Sequence, residues 1–232
     1  MVPWVRSADE FPAVDTALAE PNGLLCAGAD LEPATIVAAY SRGIFPWFSD
    51  GQPILWWSPA PRMVLYPGEF KVAKSLAKTV KQQRFEVRFD SSFAEVIGAC
   101  SMPRSIDGGT WIVPEMVDAY CALHQQGVAH SVESWRDGHL VGGLYGIALG
   151  RMFFGESMFA RETDASKVAL VHLVDKLKRD GFQLIDCQQE TRHLASFGAR
   201  PIARQEFVQT LTKLINFKDP RSVWQTGSDV KT

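Results

Sequence analysis

An aspartate and a glutamine near residue 186 form the pattern in this chain that is best suited to chemistry. Asp186 and Gln188 belong to the segment FQLIDCQ at 182–188, whose alternation predicts a short strand with both side chains on one face. Polar groups at the carboxyl end of a strand are well placed to face a cleft. The carboxylate can orient an amine or accept its proton, and the amide can donate to an oxyanion. Capping of the following loop explains the same pair equally well.

A third polar side chain lies in an apolar segment. Glu156 belongs to GESMFAR at 155–161 and has Met and Phe residues as its neighbours in sequence. Because a buried carboxylate is costly unless it is paired, Glu156 either recognises a cation or is satisfied by Arg161 or Lys167. The nearby cations slightly favour the second interpretation.

The segment GIFPWFSDGQPILWWSPAPR at 43–62 combines Trp47, Trp56 and Trp57 with several Pro and Gly residues. Since Pro and Gly interrupt regular elements, a rigid loop that presents aromatic side chains is predicted. Such side chains can stack on a base, hold a cation or close an apolar pocket. A small aromatic core under the loop is the interpretation that composition favours.

Basic residues recur at helical spacing where a helix is predicted over 71–83. They are Lys71, Lys74, Lys78 and Lys81, and Arg84 extends them. The predicted apolar face consists of Val72, Ala73, Leu76, Ala77 and Val80. A basic stripe of this kind can follow a phosphate backbone, although a solvated helix face more often explains the pattern.

Composition and spacing argue against several kinds of site. The net charge is −2 over 232 residues, so a site for a polyanion must be a local patch. Cysteines are scattered and histidines lack metal-ligand spacing, so we expect no disulfide framework, no metal and a reducing, cytoplasmic environment. Cys187 with His193 suggests a thiol nucleophile only weakly. No segment has the length of a membrane span, and no glycine-rich turn precedes the helix predicted at 165–180 to cradle a CoA pyrophosphate.

The elements that would position these groups indicate an α+β fold. The first 62 residues are loop-rich, with one short helix predicted at 33–41. Further helices are predicted at 71–83, 93–100, 114–126, 165–180 and 204–215, and strands at 63–66, 85–90 and 182–188. Residues 130–159 are predicted to form antiparallel strands, with turns at Asp137-Gly138 and Leu149-Gly150.

Several motifs that occur in order over 21–199 resemble the bacterial leucyl/phenylalanyl-tRNA–protein transferase family. They are EPNGLLCAGADL, RGIFPWFSDGQPILWWSPAPR, GTWI, HSVESW, GGLYG, FFGESMFAR, ASK and LIDCQ. The resemblance implies a small loop-rich N-terminal α/β domain at 1–62 and a GNAT-type acyltransferase domain at 63–232. It implies transfer of Leu or Phe, with Met as a further donor, from aminoacyl-tRNA to the N-terminal Arg or Lys of acceptor proteins, in the N-degron pathway of protein degradation. It also implies that no cofactor is needed, because the ester to tRNA is already activated. Nothing in the sequence demands more than a monomer, which is the state that we expect.

The resemblance also assigns roles to residues. Asp186 would orient or deprotonate the attacking amine, directly or through Gln188, and Gln188 would hold the amine or stabilise the oxyanion. Glu156 would recognise the positive end of the acceptor or support the site. The apolar pocket for the aminoacyl side chain would contain Phe153, Met158, Leu170, Ile185 and Leu144. Trp47 and Trp111 would bracket the terminal adenine, and the lysine stripe with Arg84 would contact the acceptor stem.

Two expectations conflict within this set, and two other functions stay open. By strand alternation Ile185 points away from Asp186, so its place in the pocket requires a twist or a bulge. One alternative function is a CoA-dependent N-acetyltransferase, which the lack of a glycine-rich turn disfavours. The other is a non-catalytic module that binds tRNA or a protein N-terminus.

Overall fold

Two β-sheets and seven α-helices organise the part of the chain that the computed structural model describes, residues 2–102, 111–216 and 222–224. Of the predicted GTWI motif, Gly109 and Thr110 lie outside these described residues. The α+β class predicted from the sequence is confirmed.

The smaller sheet lies in the first 57 residues and has the strand order β1-β2-β4-β3. Its strands are β1 (Trp4–Val5), β2 (Leu24–Gly28), β3 (Phe45–Pro46) and β4 (Leu55–Trp57). Helix α1 (Pro33–Tyr40) has proline in its first turn, where the missing N–H has no helical partner to lose. The sequence did not predict these strands, since most are too short for an alternating pattern to be visible.

The larger sheet has seven strands in the order β11-β5-β10-β9-β8-β7-β6. They are β5 (Arg62–Leu65), β6 (Glu86–Phe89), β7 (Ala129–Arg136), β8 (His139–Leu149), β9 (Met152–Ala160), β10 (Leu184–Asp186) and β11 (Arg200–Ile202). Only β9 and β10 pair in parallel, and the other neighbours are antiparallel.

The predicted meander of strands between residues 130 and 159 is confirmed. Asp137 and Gly138 both have positive φ, 50° and 77°, as the tight turn between β7 and β8 requires. Gly150 has φ 53° at the turn between β8 and β9. Hairpin signals in the sequence therefore fixed this part of the sheet.

Helices cover both faces of the large sheet. They are α2 (Lys74–Lys81), α3 (Phe93–Ser101), α4 (Pro114–Gln125), α5 (Ala165–Arg179), α6 (Arg192–Ser196) and α7 (Arg204–Leu214). One apolar core joins α1, α3, α4 and the small sheet, and the other joins α2 and α5 to the opposite face. Because successive strand residues point to opposite faces, Phe154 belongs to the first core and Phe153 to the second.

Gly146 in β8 makes room for one of these phenylalanines. A Cβ atom at this position would lie 2.6 Å from the ring of Phe153, closer than carbon atoms approach. The pairing of β8 with β9 also shifts register between Tyr145 and Gly146. The glycine therefore leaves the space that the Phe153 ring occupies.

Candidate active site

A cavity of about 510 Å³ opens where two neighbouring strands part. The parallel pairing of β10 with β9 ends at Asp186 and Phe154, whereas β9 continues to Ala160. After β10 the chain parts from β9, although Cys187 and Gln188 still hydrogen-bond to Met63 of β5, so the second half of β9 is unpaired on that side. The cavity lies at this edge, and its volume suits a small organic group.

One part of the cavity is apolar and contains the side chains predicted for it. Phe153, Met158, Leu170, Ile185 and Leu144 all line it. Ile185 is buried on the α5 side of the sheet with Phe153 and Leu170. The predicted conflict over Ile185 is resolved by Asp186, which points to the opposite side and does not line the cavity.

Gln188 reaches the same cavity because the strand has ended before it. Its φ of 54° is left-handed, which is strained for a residue with a side chain and turns the chain at this point. The predicted alternation of Asp186 and Gln188 on one face is therefore wrong, since β10 stops at Asp186. Gln188 lines the cavity together with Ile185.

Two tryptophans line the cavity, and both are half-buried. They are Trp47, from the aromatic segment at 43–62, and Trp111. The backbone carbonyl of Trp47 accepts a hydrogen bond of 2.6 Å from Trp57 Nε1, and the two rings lie 5.2 Å apart. Trp56 is wholly buried and donates to the Gly28 carbonyl. The segment therefore has both predicted features, a small aromatic core and a side chain open to a cavity.

Asp186 is held by a buried cation. Its side chain is inaccessible to solvent, and Arg62 donates to both carboxylate oxygens, from Nε at 2.8 Å and from Nη2 at 2.6 Å. The backbone N–H of Gln188 donates to Asp186 Oδ1 at 2.9 Å. A carboxylate with these partners fixes the turn at Gln188 and has little capacity to contact anything else.

Arg62 is itself enclosed. Its guanidinium lies 4.8 Å from the ring centre of Phe45 and 4.6 Å from that of Phe207, and Nη1 donates to the Gly43 carbonyl at 3.2 Å. Aromatic faces and a bidentate carboxylate are the partners that a guanidinium prefers. Through Arg62, the aromatic segment is thus connected to the strand that ends at Asp186.

Glu156 has neutral partners instead. Oε1 accepts hydrogen bonds from the Tyr40 hydroxyl at 2.7 Å and from Gln188 Nε2 at 3.0 Å, and Oε2 accepts from the Tyr120 hydroxyl at 3.2 Å. The predicted partners of Glu156 were wrong. Arg161 instead donates to the Leu140 carbonyl, and Lys167 pairs with Asp164. The two phenols that contact Glu156 come from helices distant in sequence, so the local pattern could not reveal them.

Burial raises the pKa of Glu156 from its ordinary value to about 7. The negative charge of Asp186 also raises this pKa, while the phenol hydrogen bonds and Arg62 lower it. Glu156 as a whole residue is half-buried, and it lines the cavity. Glu156 can therefore change protonation state near neutral pH while in contact with whatever occupies the cavity.

The thiol nucleophile considered from the sequence has no support. Burial raises the pKa of the Cys187 thiol, which is the opposite of what a thiolate nucleophile requires. His193 is exposed at the cavity rim, and its ring lies against Phe197. Burial lowers the pKa of His193, and Lys167 lowers it further.

The basic stripe is exposed along its whole length. Its members are Lys71, Lys74, Lys78, Lys81 and Arg84. The predicted helix is shorter than expected, and the predicted apolar face was partly wrong, because Val72, Ala73 and Ala77 are exposed. Leu76 and Thr79 are the buried residues of α2. Lys71 N donates to the Phe197 carbonyl at 2.9 Å, so the stripe begins beside the C-terminal end of α6, a helix whose His193 and Leu194 line the cavity.

Arg62, Tyr40 and Tyr120 are the residues that sequence reasoning missed. Each is wholly buried, and each acts on a residue more than 30 positions away. A buried tyrosine requires a partner for its hydroxyl group, which is the one signal that could have marked the two helical tyrosines.

The described ranges 2–102, 111–216 and 222–224 contain no cluster of His, Cys, Asp or Glu that could hold a metal ion. Within the same ranges, no helix is both long enough and apolar enough to cross a membrane.

An apolar chamber that ends in an amide and a carboxylate suits an enzyme that holds an acyl group beside a nucleophile, and acyltransferase is the class that this indicates. The chain belongs to the leucyl/phenylalanyl-tRNA–protein transferase family, which makes it an aminoacyltransferase. The sequence profile of that family matches residues 64–212, and the profile of the family's N-terminal domain matches residues 29–60.

Relatives of this name are similar over nearly the whole chain. The protein from Chromobacterium violaceum is 58% identical over 97% of this chain and 96% of its own length. The protein from Aromatoleum aromaticum is 59% identical over 93% of this chain and 91% of its own length. Among solved structures, a ribosomal-protein-alanine N-acetyltransferase from Brucella melitensis is 16% identical, covers 41% of this chain and 72% of its own, and has a TM-score of 0.31, which is too low to support a conclusion.

Proposed function

We propose that the protein transfers Leu or Phe, and also Met, from aminoacyl-tRNA to the N-terminal Arg or Lys of acceptor proteins, and so marks them for degradation through the N-degron pathway. The observation that supports this most is one cavity with an apolar chamber, two tryptophans and an amide–carboxylate pair. The names of relatives that match almost the entire chain support leucyl- or phenylalanyl-tRNA as the donor and a protein as the acceptor.

The aminoacyl side chain would enter the apolar chamber. Phe153, Leu170 and Ile185 supply rigid branched or aromatic walls. Leu144 and Met158 face each other across β8 and β9 at its side. A flexible thioether adapts to side chains of different shape, which suits a pocket that accepts Leu, Phe and Met.

The terminal adenine of the tRNA would stack between Trp47 and Trp111. Base–aromatic stacking contributes about 1–3 kcal/mol per base and does not depend on the base. Trp47→Ala should therefore weaken the use of charged tRNA more than the use of acceptor peptide. Equal effects on both substrates would contradict this assignment.

The chemistry requires an amine to attack an ester carbonyl. An aminoacyl ester is activated, so positioning supplies much of the rate. We assign Gln188 to hold the amine or the oxyanion, and Asp186 to act through Gln188 rather than directly. The reason is that Arg62 and the Gln188 N–H already occupy the Asp186 carboxylate, which does not line the cavity. Of the two predicted roles for Glu156, its hydrogen bonds with Gln188 and the two phenols favour a role beside Gln188 over recognition of the acceptor's positive end.

The basic stripe would contact the acceptor stem of the tRNA. It is exposed and begins beside α6, which borders the cavity, so a backbone could pass from one to the other. Phosphate contacts of this kind are independent of sequence and depend strongly on salt. Changing Lys74, Lys78 and Lys81 to Glu should lower tRNA affinity and flatten its salt dependence, and unchanged affinity would mean that the stripe is only solvated.

We also propose the division at 62/63. The small sheet ends at Trp57, and the first strand of the large sheet begins at Arg62. A monomer and a cytoplasmic location stay predictions.

The direct test supplies tRNA charged with labelled Leu and an Arg-starting peptide, without ATP or CoA. Transfer of label to the peptide is expected, and none to an otherwise identical Gly-starting peptide. A parallel reaction with labelled acetyl-CoA examines the alternative donor. No transfer from tRNA would contradict the proposal, and transfer from acetyl-CoA alone would favour the N-acetyltransferase.

A further inference from the structure

Peptide-bond formation requires a group that receives a proton from the attacking amine, and the cavity offers few candidates. Asp186 is inaccessible, does not line the cavity, and is paired with the Arg62 guanidinium through both carboxylate oxygens. Glu156 is the carboxylate that lines the cavity, and its Oε1 lies 3.0 Å from Gln188 Nε2. His193 is the competing base, but it lies exposed at the rim.

The hydrogens around Glu156 indicate a place for one more proton. Three oxygen–oxygen contacts join Glu156, Tyr40 and Tyr120, at 2.7, 3.2 and 2.6 Å. The two phenols supply only two hydrogens. While Glu156 is ionised, one of the three oxygen–oxygen contacts therefore has no hydrogen between its atoms. A proton on Glu156 gives each contact a hydrogen, so the arrangement accommodates both protonation states.

We propose that Glu156 accepts the proton of the attacking α-amine and returns it to the departing ribose oxygen. The inference rests on the proposed transferase function. As the neutral amine nitrogen bonds to the ester carbon, the carbonyl electron pair moves to its oxygen and one N–H proton passes to Glu156. The electron pair on the oxyanion then re-forms the carbonyl as the C–O bond breaks, and the electron pair of that bond leaves with the ribose oxygen, which takes the proton back. The carboxylate is restored, and no further reactant is consumed.

The electrostatics of the site match this role. Burial raises the pKa of Glu156 to about 7, and an α-amine has a pKa of about 8, so the proton moves between groups of similar strength. Burial also raises the pKa values of Tyr40 and Tyr120 well above the ordinary range, so both phenols keep their protons at neutral pH. The titratable and charged groups that act on Glu156 are Tyr40 from α1, Tyr120 from α4, Tyr145 from β8, Arg62 from β5 and Asp186 from β10.

The first experiment is a single-turnover pH series with Glu156→Gln. The transfer rate should fall by about 100-fold or more, as for loss of a general base. Affinities for the acceptor peptide and for a hydrolysis-resistant amide analogue of aminoacyl-adenosine should stay within a few-fold of wild type. In wild type the rate should rise with pH around a midpoint near 7, and the variant should lack this rise. The series is repeated with two acceptors whose amines differ in pKa. A midpoint that belongs to the enzyme stays the same for both acceptors, whereas a midpoint that belongs to the amine moves.

The second experiment uses Tyr120→Phe, which keeps the carboxylate but removes one hydrogen-bond donor to it. Fewer donors destabilise the anion, so the midpoint should move to higher pH and the rate should recover there. A structural role alone would lower the rate at every pH and leave the midpoint in place. Wild-type transfer by Glu156→Gln, or loss of the titration in His193→Gln instead, would overturn the proposal. Failure of wild type itself to transfer would overturn the proposed function.

Discussion

Two carboxylates lie on neighbouring strands, Glu156 in the lining of the cavity and Asp186 buried behind it, and their surroundings differ in kind. Asp186 at the end of β10 is paired with a buried guanidinium. Glu156 in β9 is hydrogen-bonded by two phenols and an amide, all of them neutral. One carboxylate therefore has its charge compensated by a full opposite charge, and the other has only dipoles to stabilise it.

We interpret this difference as a division of roles, in which Asp186 fixes the position of neighbouring groups and Glu156 exchanges a proton. The ion pair between Arg62 and Asp186 fixes the backbone turn that carries Gln188 into the cavity. The neutral partners of Glu156 hold its position but leave its charge free to change. A fixed frame beside a titratable group suits the acyl transfer that we propose.

The largest expected effect comes from breaking the ion pair. Arg62→Met should lower the free energy of unfolding by about 3–5 kcal/mol, because Asp186 is left buried without its cation. Urea denaturation measures this change.

The double variant Arg62→Met with Asp186→Leu is the control, since it removes both charges and should be less destabilised than the single variant. Arg88→Met, in an exposed pair with Glu86, should leave the midpoint nearly unchanged. A neutral effect of Arg62→Met would contradict the holding role of the pair.

A smaller effect is expected in the pH dependence of stability. Because folding raises the pKa of Glu156 from 4.5 to about 7, the folded state keeps a proton that the unfolded state releases between these pH values. Stability from this group is present below pH 4.5 and is lost as pH rises to 7, by at most about 1.4 kcal/mol per pH unit.

The Glu156→Gln variant should lack the loss of stability that Glu156 causes between pH 4.5 and pH 7. Glu133 also has a pKa raised by burial, so the quantity to measure is the difference between wild type and variant in urea at each pH. Parallel stability curves from pH 5 to pH 8 would mean that Glu156 does not titrate in this range.

The smallest effect is expected from a single phenol. Tyr40→Phe removes a hydroxyl that contacts Glu156 and Tyr120, and should cost about 1 kcal/mol. The cost should be larger at pH 8, where Glu156 is ionised, than at pH 5. Denaturation at the two pH values measures it.

Tyr145→Phe is the matched control for that change. Among the residues that the structure describes, no hydrogen-bond partner of the buried Tyr145 hydroxyl is found. Its removal should therefore leave stability unchanged or raise it at both pH values. An equal loss in both variants would show that packing, rather than the bond to Glu156, causes the effect of Tyr40→Phe.

Local patterns predicted much of the fold. The turn at Asp137-Gly138 and helices such as α4 and α5 have strong local signals, and each was confirmed within a few residues. The small sheet was missed because its strands have two to five residues, and pairing distant in sequence creates them. The order of polar residues along the chain also could not reveal that β10 ends at Asp186. Because the strand ends there, the Gln188 side chain lines the cavity, whereas the Asp186 side chain points away from it.

The residues that line the cavity were predicted better than the residues that hold its carboxylates in place. The predicted apolar residues and both tryptophans line it, while the partners of the two carboxylates were unforeseen. Arg161 and Lys167 were chosen for Glu156 because they lie near it in sequence. The actual partners Tyr40 and Tyr120 lie 116 and 36 positions away.

The protonation of Glu156 can be observed directly by carbon NMR of protein labelled at the glutamate carboxyl carbons. The signal that disappears in Glu156→Gln identifies the residue, and its shift is followed from pH 4 to pH 9. A midpoint near pH 7 is predicted, moving to higher pH in Tyr120→Phe. A midpoint near the ordinary value of 4.5 would contradict the central claim that neutral partners leave this carboxylate free to take a proton.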